Sequence, residues 1–427
     1  MSRAKTLLSW LVLVAGSLAA IEGASWGLLA WLGATDIETR IEAAQAERRA
    51  GALPAREGRW RHLGVAGVIH PYLGFANEPR GATRGPELSL DDLGFVWGGP
   101  FVRDRDGAFV VAVFGGSFAQ IFVGEQGPER VFERLRQRPE LAGEHLVVLN
   151  TATGGFKQPQ PLLALAYLLS LGVEIDMAIL IDGFNEVVLP SVENVPKGVF
   201  PFYPRSWPLL VADVNAMPDV RALIGEVTVL ADLRAAVADR FAGSFARRSR
   251  TLSLVWVVFD RWLASQILAR RAELAVGASK PALDFASAGP AWSADGPEDL
   301  FRELAAVWKQ SSLQMHRLCR GNGIAFHHFL QPNQYLEGSK PIGPKEKRVA
   351  ILPQHPYADA VRRGYPFLRA AGVDLRAAGV PFHGLTQIFA GVTDPLYVDD
   401  CCHVATAGNA IVADAIAEAI LQTPAPD

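Results

Sequence analysis

Four stretches of this chain are apolar at almost every residue rather than at every second one, and each ends in small or polar residues. They are residues 108–114 before Gly115-Gly116-Ser117, 146–149 before Asn150, 177–181 before Asp182 and, more weakly, 324–330 with His327 and His328 inside. A strand with one face in water alternates, so runs without alternation predict strands buried on both faces, as in a parallel sheet covered by helices. Helical patterns fill the intervals, near residues 126–138, 159–171, 298–320 and 405–421. That order predicts an α/β fold: a doubly wound, mostly parallel sheet flanked by helices in a three-layer, flavodoxin-like arrangement. Between 206 and 296 the alternation gives way to two helical patterns, 220–240 and 252–274, which predict a helical insertion or cap. The sheet domain is therefore expected in two parts, 105–205 and 297–427.

The segment before it is of another kind. Residues 7–32 are apolar apart from Glu22 and would measure about 39 Å as a helix, long enough to cross a bilayer with tilt. Arg3 and Lys5 precede this run, and Asp36, Glu38, Arg40 and Glu42 follow it, so the positive-inside rule puts the N-terminus in the cytoplasm and the rest outside. Cleavage at Ser17-Leu18-Ala19 would leave an apolar stub, so residues 1–34 are read as an uncleaved transmembrane anchor rather than a signal peptide. The bilayer is thus one expected partner. Glu22, unfavourable at the bilayer centre by about 3 kcal/mol, is read as tolerated rather than as a contact with another helix. Within 35–104, residues 35–60 read as a solvated helix or tether and the remainder as loops and edge strands. Residues 252–268 contain Asp260 and Arg261 and read as an amphipathic cap helix rather than a second span.

Composition removes some functions. With 41 basic against 44 acidic side chains in 427 residues, the chain is not a basic nucleic-acid binder, and half its residues are apolar, so it is not disordered. Its three cysteines are too few for a disulfide scaffold. In an oxidising compartment Cys319 could pair with Cys401 or with Cys402, leaving one thiol, and the sequence does not choose between them. No metal is expected at the contiguous Cys401-Cys402-His403, whose side chains should diverge, nor at His327 and His328, which should point to opposite faces of a strand.

In an open parallel sheet, ligands bind beyond the carboxyl ends of the strands. Ser117 follows the first run, Asn150-Thr151-Ala152-Thr153-Gly154-Gly155-Phe156 the second, and Asp182-Gly183-Phe184-Asn185-Glu186 the third. Asp399-Asp400-Cys401-Cys402-His403 precedes the last helix. A nucleophile, an imidazole base, a carboxylate to orient it and N–H donors for an oxyanion are what serine hydrolysis needs. Gln331, Asn333 and Tyr335, after the fourth run, are candidates for substrate contact. Asp182 reads as a strand-end carboxylate.

These blocks resemble the SGNH hydrolase superfamily, the GDSL-type esterases and lipases, and look most like its bacterial members with an N-terminal membrane anchor. The resemblance covers roughly residues 105–200 and 298–425. Ser117 matches the nucleophile block, Gly155 the glycine of the second block with Gly154 as the alternative, Asn185 the asparagine of the third, and Asp400 and His403 the final Asp-x-x-His. It implies a Ser117–His403–Asp400 triad and an oxyanion hole from Ser117 N–H, Gly155 N–H and the Asn185 amide, with no cofactor. Gly116 and Glu186 depart from the family, each standing where it has aspartate. The expected function is an extracytoplasmic, membrane-anchored serine esterase that removes an acyl group, such as acetyl, from an envelope carbohydrate. An O-acyltransferase using the same residues and a catalytically silent envelope assembly or binding component are the alternatives.

Overall fold

The computed structural model describes residues 3–51, 68–77, 89–95, 99–105, 107–211, 218–277, 285–352 and 356–423. The chain divides into two compact units, one of residues 1–65 with 213–281 and the other of 66–212 with 282–427.

The second unit holds the sheet. A two-stranded antiparallel ribbon, β1 (Val68–His70) and β2 (Gly74–Ala76), precedes five strands: β3 (Ala108–Gly115), β4 (His145–Asn150), β5 (Met177–Asp182), β6 (Ala325–Leu330) and β7 (Phe382–Gly384). These five are all parallel, in the order β4-β3-β5-β6-β7. Helices flank the sheet, so the α/β expectation stands. The central strands are apolar throughout because neither face meets water: Val110, Ala112, Val113, Phe114, Ile179, Leu180 and Ile181 are fully buried. The sequence reading missed β7, three residues long and preceded by Pro381, which carries no run of its own. It also missed the helix Pro356–Ala377, whose buried face includes Ala360, Val361, Leu368 and Leu375. The first strand, β3, has β4 on one side and β5 on the other, so connections leave it in opposite directions. That is the switch point at which such sheets open a crevice.

The first unit is helical and comprises Arg3–Trp31, Ile37–Gly51, Pro218–Ala242 and Arg250–Gly277. The expected insertion does not form a body of its own. Its helices share a core with the N-terminal segment, in which Leu29, Ala34, Ile41 and Ala44 meet Ala238, Phe241, Trp256 and Val257. Residues 37–51 are accordingly not a solvated tether, since Ile41 and Ala44 are buried against the helix Pro218–Ala242. The Phe241 and Trp256 rings stack 5.0 Å apart. Asp260 and Arg261, the charges that interrupt the apolar 252–268 stretch, both have partners: Arg234 Nε lies 2.6 Å from Asp260, and Arg261 donates to the Leu32 carbonyl.

Glu22 is a partner contact after all. Its carboxylate accepts the Ser249 hydroxyl, the Arg250 N–H at 2.6 Å and the Thr251 N–H at 3.4 Å, so it caps the start of Arg250–Gly277. An anion over unsatisfied N–H groups at a helix start is favourable twice, through hydrogen bonds and through the helix dipole. Among the described residues, two helices are long and apolar enough to cross a membrane, Val12–Trp31 and Arg250–Arg271. Glu22→Ala should expose the amides of 250–252 to hydrogen exchange about fivefold faster, equivalent to the roughly 1 kcal/mol of a lost cap, while β5 amides stay protected. Equal loss in both places would show that the contact does not cap locally.

Candidate active site

Ser117 is the first residue of the helix Ser117–Gly124, directly after β3, so its hydroxyl stands beside the unsatisfied N–H groups of a helix start. Two glycines make that turn. Gly115 has φ of 142°, and a Cβ there would lie 2.1 Å from the Ile181 carbonyl oxygen on β5. A Cβ on Gly116 would lie 2.2 Å from Asn185 Nδ2, so a larger residue there would displace that amide.

His403 reaches Ser117 from the other end of the sequence, with Nε2 2.7 Å from Ser117 Oγ. Its Nδ1 is 2.5 Å from Oδ2 of Asp399, not Asp400. Here the structure corrects the sequence. Oδ1 of Asp399 accepts the backbone N–H groups of Cys401, Cys402 and His403 at 3.0, 3.1 and 3.2 Å. The chain curls around that oxygen, so the other oxygen meets a ring four residues on rather than three. Burial works to raise the Asp399 carboxyl, but its hydrogen bond to His403 and the loop N–H groups hold it below its ordinary value. Burial likewise opposes a charged imidazole, and the bond to Asp399, with the Cys402 thiol beside it, raises His403 above its ordinary value. This environment favours an imidazolium, which is what forms when the ring takes the serine proton.

The second and third blocks close around the nucleophile. Asn185 Nδ2 donates to the Phe156 carbonyl at 2.7 Å. An amide carries two N–H bonds, so one remains for an incoming oxygen. Gly154 faces Ser117, a Cβ there being 3.9 Å from the serine Cβ, whereas Gly155 backs onto Arg205 and Phe75. The Gly154–Gly155 peptide therefore borders the nucleophile, with the Ser117 N–H across from it. Glu186 is buried and accepts Gly183 N–H at 2.8 Å and Gln158 N–H at 3.2 Å, tying the segment after β5 to the one after β4. Its burial, with Asp182 nearby, raises the carboxyl well above its ordinary value.

Of the three residues expected to touch substrate, Asn333 and Tyr335 turn to the loop of residues 399–401 instead. Gln331, Asn333 and Tyr335 are buried. Asn333 Nδ2 donates to the Cys401 carbonyl at 3.0 Å and Tyr335 OH to the Asp400 carbonyl at 2.8 Å, while Gln331 offers its own carbonyl to Tyr365 OH. Gln334 joins them by donating to the Asp399 carbonyl at 3.1 Å. The Asn333, Gln334 and Tyr335 side chains turn inward because the loop carrying Asp399 and His403 needs its carbonyls satisfied there, and they brace that loop.

His328 is fully buried between Asp182 Oδ1 and Ser312 Oγ, both at 2.8 Å, and Trp308 Nε1 donates to the same Asp182 oxygen. This Ser-His-Asp chain is sealed inside and has a structural role only, because Ser312 and His328 have no exposed surface. His327, on the opposite face, lies 5.9 Å from the His383 ring, and burial pushes it down to about 3.

The three cysteines are free thiols, and a bridge from Cys319 to Cys401 or Cys402 is not formed. Cys319 is buried, its thiol pushed up to about 12 by desolvation. Cys401 and Cys402 do not diverge: their sulfurs are 3.0 Å apart, because the chain curls around Asp399 Oδ1.

Sequence reasoning passed over Arg205, which no pattern marks. Its Nε and NH2 bind Glu193 at 3.1 and 2.8 Å, and its aliphatic stem lies 3.0 Å from where a Gly155 Cβ would be. Glu193 is buried while the arginine side chain keeps 41% exposure, so one face of the guanidinium side remains open. The loop carrying it is held by Lys157, whose Nζ donates to the Pro201 carbonyl at 2.8 Å and to that of Tyr203, and whose burial lowers it to about 7.

No protein-family model and no curated protein matches this chain.

Asp399→Asn should lower kcat on a model ester by roughly 10³, while Asp400→Asn leaves it nearly unchanged; the reverse order would restore the three-residue offset. Asn185→Ala should lower kcat by roughly 10²–10³ with little change in KM. Gly116→Ala, which pushes the same amide aside, should reproduce that loss without lowering the melting temperature as a core substitution would. Normal turnover in both variants would reduce Asn185 to a turn residue.

Proposed function

We propose that this chain is a serine esterase, anchored by its N-terminal helix, whose sheet domain removes acyl groups, such as acetyl, from envelope carbohydrate outside the cytoplasm. The unbroken hydrogen-bond chain from Ser117 Oγ through His403 to Asp399 carries this reading. All three residues are only partly buried, unlike the sealed Ser312–His328–Asp182 chain, so a substrate can reach the serine. The helix Val12–Trp31 supports the anchor, and Arg3 and Lys5 before it support an exported sheet domain.

In the reaction, Ser117 Oγ attacks the ester carbonyl as His403 Nε2 takes its proton, and Asp399 holds the ring and offsets its charge. The oxyanion meets the N–H groups at the start of the Ser117–Gly124 helix, the Gly154–Gly155 peptide and the remaining Asn185 N–H. The tetrahedral intermediate collapses as His403 returns the proton to the leaving alcohol. Water, activated by the same imidazole, then releases the acid and frees the serine. Arg205 at the rim suits a polar or anionic acyl carrier, such as an acidic sugar, better than a long hydrocarbon chain.

The full chain in detergent micelles, treated with a fluorophosphonate probe, should become labelled on Ser117, and with acetylated polysaccharide it should release acetate. Ser117→Ala should abolish both. Transfer of acetyl to an added glycan without release would show that a sugar hydroxyl, not water, is the acceptor. Absence of labelling, release and transfer would leave the site without catalytic chemistry.

A further inference from the structure

The side chains of Cys401 and Cys402 have no part in the acyl-transfer steps, yet they stand against the base. Their sulfurs are 3.0 Å apart, and these two sulfurs and an imidazole nitrogen of His403 all lie within 4.8 Å of one another. Two soft thiol donors and one imidazole converging from three successive residues is a donor set for a thiophilic cation with tetrahedral preference. We propose that Cys401, Cys402 and His403 form a regulatory site for such a cation, zinc(II) being the representative, and that its occupancy silences the triad.

The geometry is close to what the ion needs. Zinc–sulfur bonds of about 2.3 Å in a tetrahedron set the sulfurs roughly 3.8 Å apart, so the pair must open by about 0.8 Å, which rotation of the partly buried Cys401 side chain supplies. Three protein donors leave a fourth position for water. Both cysteine N–H groups are tied to Asp399 Oδ1 and the Cys401 carbonyl to Asn333, so the backbone that aims the sulfurs is preorganised. Binding is an exchange: each cysteine sulfur binds as thiolate and the His403 ring as neutral imidazole, so the protons these three groups carry pass to solvent as the two metal–sulfur bonds and the metal–nitrogen bond form, and nothing is oxidised or reduced.

Silencing follows from the triad's own bonds. His403 has two ring nitrogens, one at Ser117 and one at Asp399. If Nε2 takes the metal, Ser117 loses its base and Asp399 becomes the carboxylate that orients a metal-bound histidine. If Nδ1 takes it, the ring loses its carboxylate. Either way one bond of the chain is lost. Metal binding stands apart from the esterase reading, whereas silencing rests on it.

The test uses the full chain in micelles, reduced and metal-free. Cadmium(II) is added while the ultraviolet thiolate-to-cadmium charge-transfer band is followed, and in parallel zinc(II) is added while the rate of fluorophosphonate labelling is followed. The expected result is a band that saturates at one cadmium per chain and a labelling rate that zinc abolishes. The double variant Cys401→Ser/Cys402→Ser should lose the band, and its labelling rate, compared with its own metal-free rate, should no longer respond to zinc. Cys319→Ala should change nothing. If the double variant fails to fold, Cys401→Ser alone should weaken cadmium binding by at least about tenfold. Absence of a band overturns the site, and zinc inhibition that survives in the cysteine variants overturns the role of the thiols. A band with undiminished labelling overturns silencing. A metal-free protein that never labels counts against the esterase reading, while the band still decides the metal site.

Discussion

One carboxylate organises the candidate active site. Asp399 has two oxygens with separate duties, Oδ1 gathering the N–H groups of the next residues and Oδ2 orienting the His403 ring. Because the same side chain shapes the turn and holds the base, the angle of the imidazole is fixed by local geometry rather than by distant packing. Asn333, Gln334 and Tyr335 then satisfy the outward carbonyls of that loop. Glu346 does the same one step earlier, accepting the N–H groups of Leu396 and Tyr397 while paired with buried Lys340. A carboxylate with all its acceptor sites engaged is rigid, and rigidity here sets how precisely the base meets the serine.

The contrast between two Ser-His-Asp chains in one domain shows how environment divides chemistry from architecture. Ser312, His328 and Asp182 have the same atom types and similar distances as Ser117, His403 and Asp399. The first set lies inside, where Trp308 completes its hydrogen bonds and no substrate can enter. It satisfies polar groups between β5, β6 and the helix Pro297–Gly321, which is what a buried histidine requires. The second lies just beyond β3, and its three residues are only partly buried.

The helical unit obeys a different constraint. A carboxylate in an otherwise apolar helix is unfavourable until something donates to it, and the start of Arg250–Gly277 supplies hydroxyl and N–H donors at Glu22. Asp260 is matched by Arg234 in the same way. The charged residues within these apolar helices are the ones that join them to their neighbours.

The sequence by itself determined the strands, because burial on both faces leaves a run that no other element requires. It also marked Ser117 and Asn185 as strand-end candidates and His403 as one before the last helix, and the fold brings His403 to Ser117. It could not choose Asp399 over Asp400, because that depends on how three N–H groups curl around one oxygen. Nor could it tell whether Gln331, Asn333 and Tyr335 look outward to a substrate or inward to the loop, as composition is the same in both cases. Arg205 lies outside every periodic pattern and reaches the site only through a buried glutamate and a lysine-held loop. The three-residue β7 exists because β6 offers it a ladder of hydrogen bonds, and the closeness of Cys401 to Cys402 exists because Asp399 folds the chain there. Pattern records which residues are buried or follow a strand, whereas direction, partner and distance are set only when remote segments meet in space.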